Sequence, residues 1–275
     1  MLRVSLTSRS LAYAVVILAT LLSLLPTIYM ADMSLRGSVQ SFNPVLISPH
    51  PSLHNYAKVI VQPHLLGSFL NSVIVSLSSV LLTVVFGLLA SFALSRLRVV
   101  FGTAALLLIL SALMLPLAAL LVPLTVLLRV LGLTNNYFGL IGPYTALGIP
   151  FAVVVLKGAM DALPKELEEA AVVDGATPLR VLARVIVPII FPSVLVVVVW
   201  QFLFCWNEFF LALVVMTQNQ VKTLPLIPLY YEGPFMTNPG QLFAILTILS
   251  MVPMIVYALV QRWFVSGLMA GSLKG

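Results

Sequence analysis

The chain has almost no charge and almost no cysteine. Only 8% of its 275 residues are Asp, Glu, Lys or Arg, where soluble domains carry about 25%. Acids are the scarcest, eight in all against fourteen Lys and Arg, while 61% of residues are hydrophobic and the mean hydropathy is +1.14. Such a chain has lipid as its solvent. The single cysteine, Cys205, excludes an intrachain disulfide, and no Cys/His metal spacing exists. His50, His54 and His64 share one polar segment, with spacings that read as solvated loop histidines rather than ligands. No G-x-x-x-x-G-K-[ST] loop is present, so the chain has no phosphate cradle of that type and does not hydrolyse ATP itself. The net charge of +6 does not mark a nucleic-acid binder, because the cations sit singly between apolar runs without a basic patch interleaved with aromatics. No 20–50-residue repeat or low-complexity tract occurs.

What is present is a series of long apolar runs. Spanning structures in a bilayer must be helices or a closed barrel. Barrel strands alternate apolar and polar residues over about 10 positions, whereas these runs are continuous. The expected fold class is therefore an all-α membrane protein. Six segments reach the roughly 20 residues a span needs: 10–31, 69–95, 102–128, 138–157, 189–215 and 241–262. The first is long for a signal-peptide core and lacks a small-x-small cleavage site after it, so it is read as a retained span. Six spans put both termini on one side. That side holds Arg3, Arg9, Arg96, Arg98, Lys157, Lys165, Arg180, Arg184, Arg262 and Lys274; the other holds Arg36, Lys58, Arg129 and Lys222. Ten cations against four make the termini cytoplasmic. The segments 32–68 and 216–240, rich in proline, then face outward, as gates and docking loops or as simple connectors.

Within the spans, Ser72, Ser76, Ser79, Thr83 and Gly87 recur every three or four residues, which sets them on one helical face. Small residues let helices approach closely in lipid, so this face reads as a packing seam, with a pathway lining as the alternative. Pro116 and Pro123 predict kinks in the third span, and Pro26 and Pro253 in the first and last. The fifth span carries the one acid at membrane depth, Glu208, next to Asn207, with Gln201 and Cys205 on nearly the same side. Such a group faces the bundle interior or a wet cavity. Gln201, Asn207 and Glu208 are therefore candidates either for a translocation path or for a bond to a neighbouring helix or partner subunit.

Half of the acids, Glu166, Glu168, Glu169 and Asp174, fall in the polar stretch 163–188. Pro164 and the glutamates suit the first turn of a short helix. Ala170 and Ala171 continue it, Gly175 is placed to end it in the left-handed conformation, and Thr177-Pro178 opens a second helix running to Pro188. An acidic helix with small residues on a face suits a groove on another protein; the other reading, a helix lying on headgroups, is opposed by its charge.

The pattern Glu169-Ala170-Ala171, three residues, Gly175, nine residues, then Val185-Ile186-Val187-Pro188 resembles the coupling loop (EAA motif) of ABC importer permeases, with Val185 and Val187 where Ile and Leu are usual. Asp174-Gly175-Ala176 is similar to the sugar-importer version. Asn71-Ser72, Trp206-Asn207-Glu208, Thr223-Leu224-Pro225 and the tail 267–275 resemble the smaller, six-span permease of maltose-type carbohydrate importers. The resemblance covers about residues 66–275 closely. It implies a type I importer fold with residues 1–65 as an N-terminal span and external loop, 66–262 as a core of five spans including the 163–188 loop, and 263–275 as a cytoplasmic tail. It implies a multi-pass protein of the bacterial inner membrane forming half of a heterodimeric pathway. The implied partners are an ATPase subunit dimer that holds ATP and Mg, a second permease, an extracytoplasmic sugar-binding protein and the sugar itself; no cofactor belongs to this chain. It implies ATPase coupling through Glu169, Ala170, Ala171, Asp174, Gly175 and Pro188, and a tail contact through Gly271 and Lys274. The main alternative is an ion-coupled secondary transporter, for which Glu208 is the sole intramembrane acid. A membrane enzyme would need a constellation of catalytic groups that is not there.

Overall fold

The computed structural model describes residues 6–37, 47–48, 50–97, 99–231 and 238–272, with side chains for all but 6–9 and 262–272 of these. Every regular element among them is helical. The order is α1 (Leu6–Ser34), α2 (His54–Ile60), α3 (Leu65–Arg96), α4 (Gly102–Ser111), α5 (Leu117–Val130), α6 (Phe138–Asp161), α7 (Glu166–Val173), α8 (Pro178–Ile189), α9 (Phe191–Asn207), α10 (Phe210–Val215) and α11 (Pro239–Ser272).

Four of these, α1, α3, α6 and α11, are singly long and apolar enough to cross a bilayer, and the count reaches six if each of two bent pairs is one span. The bends are the main departure from the six spans expected, in which the sequence predicts kinks only at Pro26, Pro116, Pro123 and Pro253. Between α4 and α5 the axis turns by 102°. Leu115 (ψ 114°) and Pro116 (ψ 134°) are both extended there, because the proline ring disfavours a helical residue before it. Between α8 and α9 it turns by 84°. Pro188 and Pro192 both lack the N–H that would carry the ladder across, and Leu182–Ile186 already widens into a π turn. The expected fifth span, 189–215, is also divided: α9 stops before Glu208, whose ψ of 121° is extended, and α10 starts afresh.

The chain forms two compact units, one of Met1–Leu65 with Ile227–Met251 and one of Leu66–Leu226 with Val252–Gly275. In the first, polar groups tie the end of α1 to Arg36, Ser48 and α2. The Asp32 carboxylate accepts from Arg36 Nε at 2.8 Å and from the Ser48 N–H at 2.7 Å. Asn55 of α2 donates to the carbonyls of Ser34 and Arg36 at 2.8 and 2.7 Å. Gly240, in the first turn of α11, must be glycine for this: a Cβ would stand 2.5 Å from Asn55 Nδ2 and 2.8 Å from Arg36 O. His64 stacks on Tyr230.

The second unit has two apolar clusters. One gathers Val75, Leu140, Tyr144, Cys205 and Leu211; the other gathers Phe92, Ala152, Leu156, Met160, Val181, Leu182 and Ile186, so α8 is packed onto α3 and α6. The small-residue face of α3 is wholly internal: Ser72, Ser76, Ser79 and Thr83 are buried, and a Cβ on Gly87 would lie 2.7 Å from Ala152 Cβ. That closeness is what small residues provide in lipid, where apolar burial gives no drive between helices.

Candidate functional site

The 163–188 stretch forms two short helices with a left-handed turn between them. Gly175 has φ +81°. Its N–H reaches Val172 O at 2.9 Å, and the Ala176 N–H reaches Ala171 O at 2.9 Å, the paired bonds of a Schellman motif. Ala171 and Ala176, the two residues this motif brings together, pack against the second apolar cluster with Leu163. Thr177 takes the extended backbone of a cap (ψ 156°), Pro178 comes next at the first helical position, and the threonine hydroxyl does not bond the helix. The turn therefore rests on backbone conformation and on small residues facing inward.

That arrangement leaves the other face of α7 outward. Glu166, Glu169, Ala170 and Asp174 are exposed, as is Pro188 at the end of α8. Val172 and Val173 are 59% and 87% exposed, and α7 has no fully buried residue. Three acids beside bare valines form a surface suited to a protein partner with a basic rim and an apolar floor. Glu168 differs from its neighbours. It turns inward to Arg96 at the end of α3, with Nε to Oε1 at 2.5 Å. From the sequence Arg96 counts only as a cytoplasmic cation. A signal is nevertheless present, since four acids in a lipid-soluble chain need partners.

Substituting Gly175 by valine is expected to strain this turn, since an L side chain in the left-handed region costs about 1–2 kcal/mol. No atom lies within 4 Å of the added Cβ, so the effect is conformational and confined to the loop. The expected outcome is faster amide hydrogen exchange across 170–178 with an unchanged apparent Tm of the bundle; exchange at the parent rate would remove the turn argument.

The second candidate cluster lies between α6 and α9. Glu208 is 6% exposed. Its Oε1 accepts the Leu211 N–H at 2.9 Å, and its Oε2 accepts the Ala212 N–H at 3.2 Å and the Tyr144 hydroxyl at 2.6 Å. It is thus the acceptor that starts α10 and joins it to α6. Gln201, fully buried, donates to Tyr144 O at 2.9 Å and to Cys205 Sγ at 3.3 Å. Gly148 makes room for it, because a Cβ there would collide with the Gln201 amide. Sequence reasoning does not single out Tyr144, although a tyrosine inside a span needs a partner for its hydroxyl. Asn207 does not join the cluster: it is exposed and bonds back to Leu203 O at 2.7 Å. At the far end of α3, Asn71 donates to the carbonyls of Gln220 and Lys222, both at 2.9 Å, and accepts from Tyr137 at 2.7 Å. Ser72 Oγ accepts the Leu224 N–H at 2.8 Å. The Asn71-Ser72 and Thr223-Leu224-Pro225 motifs are therefore one joint. Gly271 falls within α11 near its end, and Lys274 lies outside the described residues.

Residues 83–269, which include the whole acidic loop and the Glu208 cluster, match the family described as binding-protein-dependent transport system inner membrane component. The chain belongs to this family. The permease is 33% identical over 255 residues to the sulfoquinovosyl glycerol transport system permease protein SmoH of Agrobacterium fabrum, covering 92% of this chain and 89% of that one. It is 30% identical over 262 residues to the trehalose/maltose transport system permease protein MalG of Thermococcus litoralis, covering 94% of each. Its fold is similar to that of a chain from the crystal structure of a bacterial ABC transporter involved in import of the acidic polysaccharide alginate, with TM-score 0.83, 21% identity, and 96% and 100% of the two chains covered. The protein is a multi-pass inner-membrane permease of an importer, with the all-helical build expected from its apolar runs and the importer fold that the resemblance implies.

Proposed function

We propose that this permease is one of two membrane subunits of an ATP-driven glycoside importer, and that it couples to the ATPase pair through 163–188. The observation that carries the proposal is α7 itself: an acidic, exposed helix closed by a Schellman turn and seated by two alanines on the core. A bundle needs no such helix for its own stability, since α7 buries no residue fully. A partner that must push or pull on the bundle does need it. Glu169, Ala170, Asp174 and Gly175 would meet the ATPase directly, Ala171 would seat the helix, and Pro188 would end the loop at the membrane. The cargoes named for the two relatives, a sulfoquinovosyl glycerol and trehalose or maltose, support a glycoside delivered by an extracytoplasmic binding protein.

In this reading the termini and the 163–188 loop are cytoplasmic, and Gly271 and Lys274 approach the ATPase interface. The chain carries no catalysis and no cofactor of its own; ATP and Mg belong to the partner subunits. Closure of the ATPases draws the two permeases' loops together, and the bundle exchanges an inward-open for an outward-open state. A ligand shifts such an equilibrium only by its differential contacts with the two states, and the loop is where this chain offers them. Uptake of a labelled disaccharide panel by cells expressing the full system tests the proposal. Uptake is expected to stop on ATP depletion and to survive a protonophore that leaves ATP intact. The reverse pattern would assign the chain to ion-coupled transport.

A further inference from the structure

We infer that Arg96 is the positioning residue that makes α7 move as one body with α3 and α6. The inference rests on the coupling role just proposed for α7. A helix that transmits a displacement must be rigidly joined to the elements it displaces, and α7 has little apolar burial with which to be joined. Its chain connections are a short link from α6 and the glycine turn at 174–177, neither of which is a stiff element. Ala171 and Ala176 give it a small apolar seat, and Arg96 supplies a polar joint to the ends of α3 and α6. Its side chain is 7% exposed and that of Glu168 is 13% exposed. Besides the Glu168 carboxylate, the guanidinium donates through Nη2 to Met160 O at 2.6 Å, and to Leu163 O at 3.4 Å. One side chain at the end of α3 thus holds the last turn of α6, the link after it, and the first turn of α7.

The chemistry suits an arginine. A planar fork of five donors can serve three acceptors in fixed directions, whereas a lysine ammonium offers one strongly hydrated point charge. Met160 O already accepts the Leu163 N–H at 3.1 Å; Arg96 adds a charge-assisted bond at the negative end of the α6 dipole, where a cation is favourable. The pair is also sheltered, so it is screened less than a surface ion pair. An open groove of about 420 Å³ lies beside it, and its lining includes Arg96, Lys165, Glu168, Glu169, Val172 and, at the rim, the exposed Val173. Glu169 and Glu168 therefore stand on one groove, the first facing a partner and the second gripping the bundle. The joint sits directly behind the residue expected to take the load.

The test has two arms on the full chain in nanodiscs. Spin labels are placed at Val173→Cys on α7 and Val100→Cys beyond α3, which are 87% and 78% exposed; Cys205 is buried and left in place. In the first arm, without partners, Arg96→Gln and Glu168→Gln are each expected to broaden the label-to-label distance distribution at least about twofold, with Arg96→Lys between them and the parent. An unchanged width in both glutamine variants would overturn the inference. The second arm adds the second permease and the ATPase subunits, keeps the label at Val100→Cys beyond α3, and moves the label on α7 to Val130→Cys at the end of α5, which is 80% exposed. On trapping with ATP and vanadate, the equilibrium toward the shifted distance is expected to be about fivefold or more weaker in Arg96→Gln, the low end of typical coupling, while ATPase capture persists; Arg96→Lys should restore part of it. An equal change in parent and Arg96→Gln would overturn the joint as a transmitter. A parent chain that captures no ATPase would instead overturn the importer assignment, and the first arm would still read the joint.

Discussion

Glu208→Ala is expected to lower the apparent Tm of the detergent-solubilised permease more than any other single change to a polar side chain proposed for it. The carboxyl group accepts three hydrogen bonds, from Leu211 N, Ala212 N and the Tyr144 hydroxyl, in a site 6% exposed. Truncation leaves two backbone N–H groups at the start of α10 and one phenol without an acceptor. Each buried orphan costs about 1–3 kcal/mol, so a loss of about 3 kcal/mol or more is expected even with partial relaxation. Water cannot readily repair a defect placed between α6 and α10 in an apolar cluster. Tyr144→Phe removes one of the three bonds and should cost about 1 kcal/mol, and Glu208→Gln, which keeps the carbonyl acceptor, should fall between. Thermal unfolding followed by intrinsic fluorescence ranks the three. An unchanged Tm for Glu208→Ala together with lost uptake would make Glu208 a path-lining group rather than the brace of a broken helix.

Glu169→Lys is expected to do the opposite: to leave the bundle as stable as the parent and to abolish ATPase docking. The side chain is exposed on α7 and lines the same groove as Arg96 and Glu168 without bonding to either, so its reversal breaks no internal bond. At a protein interface, losing one partner of a close charge pair costs about 2–5 kcal/mol, and a reversed charge adds repulsion. A loss of at least about thirtyfold in ATPase affinity is therefore expected, since each 1.4 kcal/mol is tenfold. Titration of purified ATPase onto immobilised permease measures it, and the unchanged Tm separates a lost contact from a lost fold.

The two predictions differ because the two residues are not equally legible in the chain. The acidic loop can be read because its residues answer to local rules: a proline-led first turn, alanines, a glycine with positive φ, and a threonine-proline restart. Its physical causes lie within a few residues of each other, and the structure keeps the left-handed glycine turn and the restart at Pro178, although Pro164 falls before the cap residue Lys165 and the Thr177 hydroxyl makes no cap bond. The spans are legible as apolar runs for the same reason. The breaks at Pro116 and at Pro188 and Pro192 are only partly legible. Proline marks where a ladder must fail, but whether the axis kinks slightly or turns by 84° or 102° depends on what the freed segments pack against. The division at Glu208 is not legible at all, because it rests on Tyr144, 64 residues away. The same holds for Gln201, whose place is made by the missing Cβ of Gly148, and for Glu168, whose partner is 72 residues away. Asn207 next to Glu208 looks like a companion by adjacency, yet α9 ends at Asn207 and the extended backbone of Glu208 redirects its side chain, so one faces in and the other out.

The most direct test of the importer assignment is recovery of an ATPase with this chain from detergent-solubilised membranes, with and without Glu169→Lys. An ATP-binding subunit is expected with the parent chain and none with the variant, at equal amounts of folded permease. Absence of an ATPase from the intact, folded parent would contradict the assignment, and would turn attention to ion-coupled transport through Glu208.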